Sequence, residues 1–106
     1  MTDENQIVVP RSFIDLFVPP GRIKPTEPYQ QILTRYELCE DLAQMLTETA
    51  SAQLFDLGLA QSDVLERIHA GLTEADLVAQ AEAQWVVRRL AELQGWEPFD
   101  PDRGEQ

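Results

Sequence analysis

From Tyr29 to Leu57 the chain reads YQQILTRYELCEDLAQMLTETASAQLFDL, with no Gly or Pro to interrupt it. Tyr29, Ile32, Tyr36, Cys39, Ala43, Leu46 and Ala50 recur at alternating spacings of 3 and 4. That is the period of one face of an α-helix, and the stripe resumes at Leu54 and Leu57 after a one-residue slip near Gln53. Leu33, Leu38, Leu42 and Met45 widen the apolar face. The simplest reading is one helix about 45 Å long. Thr26 followed by Glu27 and Pro28 suits its start, and Gly58-Leu59 has the form of its C-terminal cap. The weakest point is Thr47–Ser51, where poorer helix formers leave a kink or break open.

Downstream, Ser62 is placed to cap a short helix from Asp63 to about Ala70, ended by Gly71. Thr73, with Asp76 at the capping-box position, is placed to start a last helix. Leu77, Val78, Ala81, Trp85, Val86, Leu90 and Leu93 form its apolar face, and Gly95, Trp96 and Pro98 end it. No segment alternates with the period of a strand. The expected fold class is therefore all-α: a small helical bundle built on two longer antiparallel helices, a short connecting helix and an N-terminal apolar arm. The expected divisions are a Pro-rich arm over 1–26, a helical domain over 27–98 and a polar tail over 99–106.

The arm differs in character from the rest. Five of the seven prolines fall within the first 28 residues. Pro10 biases Val9 toward an extended shape. Ser12 could cap a short helical turn with Asp15 as its partner, and Pro19-Pro20 stop that turn. Residues 1–26 are charge-neutral, whereas 27–106 hold sixteen acids against five arginines and carry the whole net charge of −11. A chain of that charge is repelled by phosphate backbones and anionic lipid, so neither direct nucleic-acid binding nor membrane binding is expected. No stretch approaches the 18 or so apolar residues of a membrane span. The acidic N-terminus is the reverse of a signal peptide's, and the single Cys39 allows no internal disulfide, so a cytoplasmic setting is expected.

The residues supply no set for catalysis, cofactor or metal. The five glycines are scattered and none precedes a Lys-Ser or Lys-Thr pair, which excludes a phosphate-binding loop. Asp100-Pro-Asp-Arg-Gly104 has its glycine one position too early for a calcium loop. The one histidine follows Glu66 at the Glu-x-x-His spacing once, and a di-iron bundle needs it twice. Cys39 lies on the apolar stripe beside Glu37, Glu40 and Asp41, which disfavours a reactive thiolate. Arg88 and Arg89 both have Glu92 within helical reach.

Two stretches, Phe13-Ile-Asp-Leu-Phe-Val-Pro-Pro-Gly-Arg22 and Arg35-Tyr-Glu-Leu-Cys-Glu-Asp-Leu-Ala-Gln-Met-Leu46, resemble a family of short uncharacterised proteobacterial proteins. The likeness covers about residues 7–98. Members are sometimes labelled an ATPase with chaperone activity. The resemblance implies a bacterial cytoplasmic protein with at most a loose link to protein quality control. It carries over no catalytic or binding residue.

What stands out is apolar: Phe13, Ile14, Leu16, Phe17 and Val18 beside two prolines, and the aromatic pair Trp96 and Phe99 past the last helix. Each group has two readings, as core that completes the bundle or as a docking segment for another protein. The expected function is that of a small acidic helical protein acting by protein–protein interaction, as an adaptor or chaperone-like accessory factor, alone or as a homodimer. The alternative is an acidic nucleic-acid mimic that occupies the basic groove of a DNA-binding protein. No enzymatic activity and no cofactor are expected.

Overall fold

A computed structural model describes residues 8–99. All regular structure among them is helical: α1 (Arg11–Ile14) with a 3-10 turn (Asp15–Phe17), α2 (Tyr29–Leu57), α3 (Gln61–Ala75) and α4 (Gln80–Gln94). The protein is all-α. Its contacts separate two units, Met1–Leu38 and Cys39–Gln106, so the arm is grouped with the first ten residues of α2.

In the first unit Pro10, with φ fixed by its ring, stands at the start of α1, and its carbonyl accepts from the N–H groups of Phe13 (3.0 Å) and Ile14 (3.1 Å). Ser12 lies inside α1 and is not its cap. Pro19-Pro20-Gly21-Arg22 then forms a turn closed by the Arg22 N–H to the Pro19 carbonyl at 3.1 Å. Gly21 takes φ +79, as the third position of a type II turn demands, with proline ahead of it. Thr26 does not cap α2. Its backbone N–H (2.8 Å) and hydroxyl (3.2 Å) both donate to the Phe17 carbonyl and tie the loop back on itself. The carbonyl of Pro28 instead takes the first N–H groups of α2, from Gln31 and Ile32. Val9, Phe13 and Ile32 are buried. The Phe13 ring meets Phe17 at 5.5 Å and, edge-on, Tyr36 at 5.7 Å. Such aromatic pairs add about 0.5–1.5 kcal/mol each beyond their buried area.

In the second unit α2 supplies the buried Cys39, Ala43 and Ala50, while α3 supplies Val64, Leu65, Ile68 and Leu72. From α4 come Ala83, Trp85, Val86, Val87, Leu90 and Ala91. α3 starts from Ala60, two residues ahead of the expected cap Ser62, and runs straight through Gly71. Gly inside a helix costs about 1 kcal/mol. Continuing the helix buries Leu72, worth about 1.5–3 kcal/mol, so the continuation wins. Thr73 therefore lies within α3, its hydroxyl donating to the His69 carbonyl one turn back. Asp76 terminates α3 in the left-handed region at φ 57. α4 then begins after Ala79, whose backbone N–H donates to the buried Glu82 carboxylate at 2.9 Å. That is the returning half of a capping box, set at the positive end of the helix dipole.

The C-terminal ends of α2 and α4 match expectation. Gly58 (φ 65) follows α2, and Gly95 (φ 73) follows α4. The Trp96 N–H reaches back to the Ala91 carbonyl at 2.9 Å, a Schellman closure. Two details of the bundle differ from expectation. The connecting helix α3 is not short, since it has 15 residues like α4. And α2 and α4 run in the same sense: Glu40 meets Arg89, while Thr47 and Ser51, further along α2, meet Gln94, further along α4. With a full helix between them the chain reverses twice, and the first and third helices come out parallel.

Candidate functional site

The side of α2 that faces α4 is held by polar bonds as well as by packing. Arg89 grips Glu40 with two donors, Nε to Oε1 at 2.9 Å and Nη2 to Oε2 at 3.1 Å. Gln44 adds a further bond to the same carboxylate at 2.8 Å. Partial burial opposes ionisation of Glu40. The hydrogen bonds from Arg89 and Gln44, with the charge of Arg89, outweigh it and hold the carboxyl below its ordinary value. The Arg89 guanidinium is shifted up by its bonds to Glu40 and Glu92. One turn and more along, the Gln94 amide donates to the Thr47 carbonyl (3.3 Å) and the Ser51 hydroxyl (3.0 Å). The stretch of poorer helix formers is thus braced from α4, and α2 passes through it unbroken.

The arm residues named as interaction candidates are placed within the first unit. Phe13 is fully buried, so its ring is removed from any partner, while Ile14, Leu16, Phe17 and Val18 are half-buried. In the second unit Trp96 is half-buried. Phe99, expected to open a polar tail, is only 6% exposed, with its ring 5.2 Å from His69 and its carbonyl accepting from Arg88 Nε at 3.2 Å. Arg88 is therefore engaged with the Phe99 carbonyl, and among the described residues Glu92 pairs with Arg89. His69 Nε2 is buried without a hydrogen-bond partner among the described residues, and Cys39 is buried. No group of three or more His, Cys, Asp or Glu among the described residues could hold a metal ion. No helix among them is long and apolar enough to cross a membrane.

The other side of α2 is where this unit presents itself. Asp41, Met45, Glu48, Ala52 and Phe55 follow one another at spacings of 4, 3, 4 and 3, and all five are exposed. On a helix that spacing makes a single row, here about 20 Å long. Met45 is 67% exposed and Phe55 80%, the latter an unusual display for an aromatic side chain. Asp56, also exposed and one turn on from Ala52, adjoins its end. Among the described residues Asp41, Glu48 and Asp56 make no ion pair or side-chain hydrogen bond. No Lys or Arg occurs between Tyr36 and Glu66.

By spacing Met45 belongs to a broadened core face, yet it stands exposed, as does Phe55, which the apolar stripe does not include. The signal was present. If Ala50, Leu54 and Leu57 follow the core stripe, Phe55 stands about 100° from Leu54 and so off that face. An aromatic on the polar side of an otherwise regular stripe marks a surface position.

The second unit is thus an all-α body with one braced and one acid-flanked apolar face on the same helix. Compared with models of protein families, with curated proteins and with solved structures, the chain matches none.

Proposed function

We propose that this protein works by binding another protein, as an adaptor or accessory factor, and that the exposed row of α2 in the second unit is the contact surface. One observation carries the reading: Met45 and Phe55 stand exposed on the same helix row as Ala52, on the side opposite the buried stripe of Cys39, Ala43 and Ala50. Isolated apolar residues on a surface are ordinary. Two large ones aligned about three turns apart, with a small residue between them, give an incoming segment two anchors and room to approach.

A photo-crosslinking residue at position 55, compared with the same residue at the exposed position 67 on α3, tests this in cells. A discrete heavier adduct from position 55 and none from 67 is the expected result. Identical adducts from both positions, or none from 55, would remove the surface from consideration.

A further inference from the structure

We propose that the occupant of this face is a cationic amphipathic helix of another protein, its Lys and Arg residues interleaved with the apolar residues that cover Met45, Ala52 and Phe55. The inference rests on the docking reading above and adds the chemistry of the partner. Charge complementarity selects it. The row mixes acidic and apolar positions, Asp41, Met45, Glu48, Ala52 and Phe55, with Asp56 adjoining. The three carboxylates in and beside it have no ion partner among the described residues. Glu40, on the same helix, shows what such a group does when a guanidinium is near: it accepts from both Nε and Nη2 of Arg89.

The face cannot supply its own counter-charge. From Tyr36 to Glu66 there is no Lys or Arg, so a second copy laid on this row would set acid against acid. Nucleic acid and anionic lipid are disfavoured by the same charges. A helix of opposite sign satisfies both halves of the pattern. Its residues at i, i+3 or i+4, and i+7 meet a row of the same period, and its basic side chains reach the carboxylates while their aliphatic stems cover Met45 and Phe55.

The test uses the full chain and fluorescently labelled synthetic helices of about 18 residues, long enough for stable pairing. One carries Leu on one face and Lys on the other; a second replaces Lys by Glu; a third has the Lys composition in scrambled order. Anisotropy titrations are run against the wild type, Phe55→Ala, and Asp41→Asn combined with Glu48→Gln. All three sites are exposed, and circular dichroism confirms that the variants keep the fold.

The expected result is binding of the ordered Lys peptide alone, weakened about tenfold or more by Phe55→Ala. The double neutral variant weakens it as well, and so does added salt. If the Lys and Glu peptides bind equally and Phe55→Ala weakens both, the docking face stands and the cationic partner is overturned. If the scrambled peptide binds as well as the ordered one, charge alone is responsible and the amphipathic partner is overturned. If no variant alters binding, the proposal and the docking reading fall together. A wild-type dimer in sedimentation velocity that Phe55→Ala dissociates would make a second copy the occupant and overturn the proposal.

Discussion

The arm around Phe13 and the second half of α2 use apolar residues in opposite ways. Between Phe13 and Val18 five of six residues are apolar; between Asp41 and Asp56 large apolar residues alternate with acids and small residues. By density alone the arm is the conspicuous surface. In the structure it closes on itself, with Phe13 fully buried, Phe17 and Tyr36 against its ring and Thr26 tying the loop. The dilute segment leaves Met45 and Phe55 in solvent, as the arm leaves Val8 and Ile23 outside its apolar cluster. Apolar residues packed closely along a chain can find one another, and that is what removes them from view. Spread along one face of a rigid helix, they cannot fold over one another and stay in solvent.

The contrast is broken most forcefully at Phe13. Phe13→Ala removes a fully buried ring and should cost about 3–5 kcal/mol in urea denaturation. A loss under about 1 kcal/mol would mean that the arm is loosely held and belongs with the exposed surfaces after all.

The side of α2 turned toward α4 is sharpened next by Glu40→Gln. The Glu40 side chain is 18% exposed and that of Arg89 33%, so the pair remains partly open to water and the expected loss is about 1–1.5 kcal/mol. The sign of its pH dependence follows from the lowered Glu40 carboxyl. Its contribution is whole above the ordinary carboxylate value of 4.5 and is lost as pH falls through the lower folded value. The stability gap between wild type and Glu40→Gln should therefore narrow in acid, below about pH 4.5. A gap that widened in acid would contradict the pairing.

Gln94→Ala comes next, at about 0.5–1.5 kcal/mol. Its more telling readout is local. Backbone amides of α2 near Thr47–Ser51 should exchange faster with solvent, because Gln94 braces that stretch from α4. Unchanged exchange there would mean that α2 holds through its poorer helix formers unaided.

That brace also marks the limit of what the sequence made legible. The helical class, the extent of α2 over 29–57 and the glycine ends at 58 and 95 could all be read, because each rests on local periodicity or on a residue with a conformational preference. The starts of α3 and α4 could not, since Ala60 and Ala79 carry no capping side chain. Thr26, Ser62 and Thr73 looked like caps but lie in a loop tie, a first turn and a helix interior. A hydroxyl accepts or donates wherever the chain brings a partner, and spacing does not show which. The parallel sense of α2 and α4 was equally hidden, because it depends on α3 passing Gly71, a tertiary outcome set by the burial of Leu72. Of the candidate site, the acidic character was readable. Phe55 is legible only as an aromatic off the apolar stripe.

The smallest expected effect is the most discriminating. Phe55→Ala should change stability by no more than about 0.5 kcal/mol, and in the favourable direction if at all, since alanine is the better helix former and the ring is 80% exposed. Placed beside Phe13→Ala, the same chemical deletion should then differ in cost by several kcal/mol between the two regions. A phenylalanine that adds nothing to its helix exposes apolar surface without a return in folding, which is the condition under which its surface is free for another molecule. If Phe55→Ala instead destabilised the protein as Phe13→Ala does, the ring would be packed in solution. The row on α2 would then be a second core face, and the difference between the two regions would vanish.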